Sequence, residues 1–118
     1  MPFDFLLQYL PRNTMVKPAI GMFYLYYNGK IVLIARQTVK NPQHNGLWIA
    51  TDREHHAGLK RELPAVGDFV FDEGTEVTSN WLHLKETHAD FETTAITLCE
   101  MISNRDPRIG RTTSKTLF

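Results

Sequence analysis

The sequence predicts an α+β domain: a mainly antiparallel sheet of about five strands, in the order α-β-β-β-α-β-β-α, with helices packed on it. Three observations carry this reading. Two β-rich runs flank an Asn28-Gly29 pair, the dipeptide that favours a tight type I′ turn. Phe91, Ala95, Leu98 and Ile102 fall within a narrow arc at helical spacing. The other apolar runs are short and separated by turn-forming residues.

The elements follow in order. Phe3, Leu6, Leu7 and Leu10 stand at i, i+3, i+4 and i+7, which predicts a short helix over 3–10, stopped by Pro11. Pro11 to Pro18 reads as a basic connector. The hairpin comes next, over 21–27 and 30–36. A two-residue loop sets Tyr26 opposite Ile31, Leu25 opposite Val32, Tyr24 opposite Leu33 and Phe23 opposite Ile34. One face then carries Phe23, Leu25, Val32 and Ile34, and the other carries Met22, Tyr24, Tyr26, Ile31 and Leu33. Both are apolar, so both are expected to be covered by helices, a second sheet or a partner chain. Thr38 to Gly46 is a surface loop and Leu47–Ala50 a third strand. Thr51-Asp52-Arg53-Glu54 has the form of a capping box before a helix over 52–63, ended by Pro64. Phe69-Val70-Phe71 makes a fourth strand, and a fifth lies between Glu76 and Leu84. The last helix is capped by Thr87 or Asp90 and ends at Asp106-Pro107.

At 118 residues, the chain has room for one domain. Its 42% apolar content excludes a wholly disordered chain, and 13 basic against 13 acidic residues leave no global field toward nucleic acid or an anionic membrane. The single cysteine, Cys99, excludes an intramolecular disulfide framework and a cysteine-cluster metal site. Met1 to Leu6 lacks the basic start of a signal peptide, and the longest apolar segment, Ala19–Tyr27, is too short to span a bilayer, so a cytoplasmic setting is expected. The charge divides unevenly. Residues 105–118 carry a net +3 and residues 1–104 a net −3, which reads as an α+β body with a basic, partly flexible carboxyl-terminal tail.

Four groups of residues invite a functional reading. Asp52, His55 and His56 share the start of the second predicted helix, where a carboxylate one turn from an imidazole can orient it as a base. The plain alternative is a polar margin between core and solvent, because adjacent histidines diverge by about 100° on a helix. His83, between Leu82 and Leu84, points away from them, toward the wetter face. No zinc-ligand spacing or glycine-rich phosphate loop is present, so no metal or cofactor is expected. Tyr24 and Tyr26 form an aromatic sheet surface able to stack bases or to meet a second copy. With only Lys30 and Arg36 beside them, nucleic acid is the poorer fit. Arg108 and Arg111 in the tail are the remaining binding candidates, for phosphates or an acidic partner.

Gly29 to Ala35, then Gly46-Leu47-Trp48, then Arg61-Glu62-Leu63 resemble the strand-loop-strand-helix order of the Nudix hydrolases, over about a third of the chain. In that family a glutamate pair after the Arg-Glu element holds magnesium. Here Pro64-Ala65-Val66-Gly67 follows instead, and no hydrolase activity is carried over.

Taken together, the residues favour a small interaction or ligand-binding module that self-associates through the hairpin face. The alternatives are a small hydrolase or metal-dependent enzyme built on Asp52, His55 and His56, and a nucleic-acid accessory protein acting through the basic tail.

Overall fold

The computed structural model describes residues 1–70 and 80–112. Six strands form one sheet, antiparallel at every junction: β1 (Met15–Ala19), β2 (Met22–Tyr27), β3 (Lys30–Arg36), β4 (Gly46–Ala50), β5 (Gly67–Asp68) and β6 (Trp81–Lys85), in the spatial order β1-β2-β3-β4-β6-β5. Three helices accompany it: α1 (Leu6–Tyr9), α2 (His56–Glu62) and α3 (Phe91–Ser103). The α+β class and its antiparallel sheet agree with the sequence reading.

β1 is the strand that the sequence reading lacks. Pro18 in its middle argues against a strand, yet a proline is tolerated on an edge, where its missing N–H withholds no ladder hydrogen bond. The β2–β3 turn is as expected, with Asn28 and Gly29 both at positive φ (56° and 75°). Tyr26 pairs with Ile31, but Leu25 then pairs with Leu33, Tyr24 with Ile34 and Phe23 with Ala35. Val32 is an extra residue in β3, a bulge that shifts every later pairing by one. The face assignment changes with it. Leu33 joins Leu25, Val32 and Ala35 in the main core, and Ile34 goes to the opposite face with Ile31, Met22, Tyr24 and Tyr26.

The helices all lie on one side. Leu6 of α1, Leu59 of α2, and Phe91, Ala95, Leu98, Cys99 and Ile102 of α3 meet Leu25, Leu33, Leu47, Ile49, Leu82 and Leu84 in a single apolar cluster. The stripe on α3 is the predicted one, and Phe3 and Phe5 close it with ring contacts to Phe91 at 5.0 and 6.4 Å. No described helix covers the second face. Ile31 and Ile34 are buried there, among half-buried Tyr24, Tyr26, Trp48 and Trp81.

Local departures have local causes. The capping box does not form: Asp52 precedes a single 3₁₀ turn, Arg53–His55, without a side-chain cap, and Thr51 is fully buried. The fourth strand is the two-residue β5 at Gly67–Asp68, ahead of the expected Phe69. The predicted strand's Phe71 and the Glu76–Ser79 part of the fifth lie outside the described residues. After α3 the described part of the segment, through Arg111, returns to the sheet. Gly110 N–H donates to the Ala50 carbonyl (2.7 Å), Arg111 bridges Ile31, and Ile109 enters the main core. Residues 113–118 of the expected tail lie outside the described residues.

Candidate functional site

The structure separates Asp52, His55 and His56. The exposed Asp52 carboxylate sits 3.6 Å from Arg111 Nε. His55, on the last residue of the 3₁₀ turn, faces Glu54 at 3.7 Å and lies close enough to Asp106 to influence its charge. His56 turns toward Asn80, Asp68 and Lys60, and burial lowers its pKa despite a hydrogen bond with the Asn80 backbone. Adjacent residues on a helical turn diverge, and here each of the three meets different neighbours. Among the described residues, no three acidic, histidine or cysteine side chains are grouped to hold a metal.

Arg108 and Arg111 are engaged within the chain. Arg108 forms hydrogen bonds with both carboxylate oxygens of Asp106 (3.0 and 2.7 Å) and an ion pair with Glu62. These contacts hold the Asp106 carboxyl below its usual range and raise the guanidinium. Residues 106–111 thus form a strap, clamped to α2 by charge and to the sheet by backbone hydrogen bonds. Cys99 faces the core, and burial pushes its thiol up to about 12, which leaves no nucleophilic thiolate near neutrality.

His83 departs most from expectation. It does point away from Leu82 and Leu84, but it is only 4% exposed. β6 lies between β4 and β5, so His83 stands beside Trp48 and opposite Gly67. Phe69 folds over it at 5.4 Å, while also meeting Trp48 at 4.4 Å and stacking on His44 at 5.6 Å. Strand order, which no single stretch of sequence displays, created this burial.

Buried Asn45 organises the same corner. Its side-chain oxygen accepts from Arg36 Nη1 (2.8 Å) and from the Thr38 N–H (3.0 Å), and its amide nitrogen donates to the Thr38 carbonyl (2.8 Å). Its backbone carbonyl lies 3.0 Å from His83 Nε2. A carbonyl only accepts, so Nε2 carries the proton and Nδ1 keeps the lone pair. Burial and the positive charges of Lys85 and Arg36 lower the His83 pKa, against the opposing pull of that carbonyl.

Two of the concavities along the described sheet bear on function. The larger, a groove of ≈ 540 Å³, runs along β1 and is lined by Met15, Val16, Pro18 and Tyr26, with Lys17 and the Asn28-Gly29 turn at its margins. All five residues of β1 are exposed, Met15 at 70%, and Ile20 at its tip is fully exposed. A smaller pocket of ≈ 160 Å³ opens over β5 and β6 at His83. The sequence reading marks Tyr26 and a basic connector over 11–18, but their juxtaposition depends on recognising β1 as a strand. None of the described helices is long and apolar enough to cross a membrane. Comparison with protein-family models, curated proteins and solved structures finds no match to this chain.

Proposed function

We propose that this protein is a small interaction module that pairs with a second copy of itself through the β1 groove. The observation that carries the reading is an outer strand exposed at every position, bordered by an apolar groove of ≈ 540 Å³. Large apolar side chains at the surface, close together, mark interaction sites more often than isolated ones do. Met15, Val16 and Ile20 supply three within this one strand and its turn.

A second copy is the occupant that the chemistry favours. The chain has formal net charge +0, so two copies approach without net repulsion, and no excess charge selects an acidic or basic partner. A two-fold axis would set one groove against the other and cover the same residues twice. Simple edge-to-edge strand pairing is disfavoured by Pro18, which has no N–H to donate, and by Lys17 next to it. The contact is therefore by side chains. A reducing cytoplasmic setting fits the single, buried cysteine.

Light scattering after gel filtration tests this directly. Expected is a concentration-dependent rise from 13.6 kDa toward twice that mass, abolished by Met15→Lys with the circular dichroism spectrum retained. A mass of one chain persisting to hundreds of micromolar overturns the reading.

A further inference from the structure

The pocket over β5 and β6 gathers polar groups from three places in the chain: Asp68 on β5, His83 and Lys85 on β6, and Thr87 and His88 in the turn before α3. Its volume of ≈ 160 Å³ is far above the roughly 10–15 Å³ needed for one water. His83 forms its innermost wall, buried to 4% exposure and fixed by the Asn45 carbonyl through Nε2, so that Nδ1 is its remaining hydrogen-bonding atom and an acceptor. The space exists because the residue opposite His83 is Gly67, where an added Cβ meets nothing within 4 Å.

The charges around this wall are unequal. Asp68 is the one carboxylate among the pocket's described lining residues, and Lys60 Nζ already pairs with it at 2.8 Å. Lys85 has no such neutralising partner among the described lining residues. His88 accepts the Asp90 N–H at Nδ1 (2.9 Å), which places the proton of the neutral ring on Nε2 and makes that atom a donor. The exposed lining residues Lys85, Thr87 and His88 therefore bring a cation and donors, and the buried lining residue His83 brings an acceptor, Nδ1.

We propose that this pocket binds a small 2-hydroxy carboxylate, its carboxylate toward Lys85 and Thr87 and its hydroxyl donating to His83. A hydroxyl suits the inner position better than an ammonium group, because the carboxylate that would neutralise an ammonium is occupied by Lys60. The site is separate from the β1 groove and does not depend on self-association.

L-Lactate and propionate, which differ by the hydroxyl, are the probes, followed by amide and imidazole NMR shifts in the full chain. Expected are saturable lactate-induced shifts at His83, Lys85, Thr87 and His88, with propionate bound about tenfold or more weakly because it leaves Nδ1 without a donor. Lys85→Gln, an exposed change, lowers lactate affinity by a similar factor. Gly67→Val fills the pocket and removes the response while the remaining spectrum is kept. Absence of saturable lactate shifts, equal affinity for both probes, or unchanged lactate binding by folded Gly67→Val each overturns the proposal.

Discussion

The ring of His83 is fixed by the backbone of Asn45: Nε2 and the carbonyl oxygen are 3.0 Å apart, across the boundary between β6 and the loop leading into β4. The same carbonyl accepts the Glu86 N–H at 3.3 Å, and the Asn45 side chain closes the 37–45 loop through Arg36 and Thr38. One residue thus joins a loop, a strand end and the imidazole of a pocket.

Asn45→Ala leaves the Thr38 N–H without its acceptor in a partly buried setting, together with one of the two hydrogens of Arg36 Nη1, the other of which still donates to the Asn41 carbonyl. A stability loss of about 2–3 kcal/mol is expected in urea unfolding. Hydrogen exchange at Thr38 should quicken well before the β2–β3 ladder opens.

The lowered His83 pKa gives stability a pH dependence of known sign. Above 6.5, the ordinary histidine value, folded and unfolded rings are both neutral and the contribution is complete. As pH falls below 6.5 the unfolded chain takes up the proton first, so stability declines, and the decline levels off once the folded ring is protonated. His56 is shifted in the same direction and adds to the slope. Urea midpoints from pH 8 to 5 should fall for the wild type and fall less for His83→Gln, whose amide can still donate to Asn45.

Arg108→Ala should loosen the strap. It removes the guanidinium hydrogen bonds that contribute most to lowering the Asp106 carboxyl, and the ion pair to Glu62, at a cost of about 1 kcal/mol near neutral pH, while the Arg108 backbone N–H still donates to Asp106. The Asp106 contribution is complete above its ordinary value of 3.8 and disappears as pH falls through its lower folded-state value, so wild type and variant should converge in acid. Amide exchange at Ile31 and Arg111 reads the effect, because those two groups bond each other only when the strap is docked.

Gly46→Ala is expected to be severe. The backbone is at φ +124°, and a Cβ would lie 2.1 Å from the Leu84 carbonyl oxygen. Neither a backbone atom nor a sheet junction can yield cheaply, so the loss should exceed about 2 kcal/mol in thermal or urea unfolding. Gly58→Ala, where an added Cβ meets nothing within 4 Å, is the neutral-to-stabilising control.

What could be read from the sequence was local. The Asn28-Gly29 turn and the apolar stripe of α3 are each contained in a few neighbouring residues, and both appear as expected. The Val32 bulge has no such marker, because Ile31, Val32, Leu33 and Ile34 are interchangeable in hydrophobicity, and the register alone decides which face each one serves. β1 was concealed by Pro18, whose acceptability depends on the strand being at an edge. The proximity of Asp52, His55 and His56 in sequence suggested a site, and helical divergence took them to separate neighbours. His83 and Gly67 were brought together only by the placement of β6 beside β5. That placement, a long-range choice, decided the pocket.

The docking of Gly110 and Arg111 against Ala50 and Ile31 has a consequence for how the molecule is made. During synthesis the hairpin around Asn28 emerges early, but the neighbour that completes its outer hydrogen bonds is among the last described residues to be translated. Until then Ile31 has an open flank and the main core lacks Ile109. A nascent chain truncated before residue 109 should stay vulnerable to proteolysis, and protection should arrive in one late step as the closing segment leaves the ribosome.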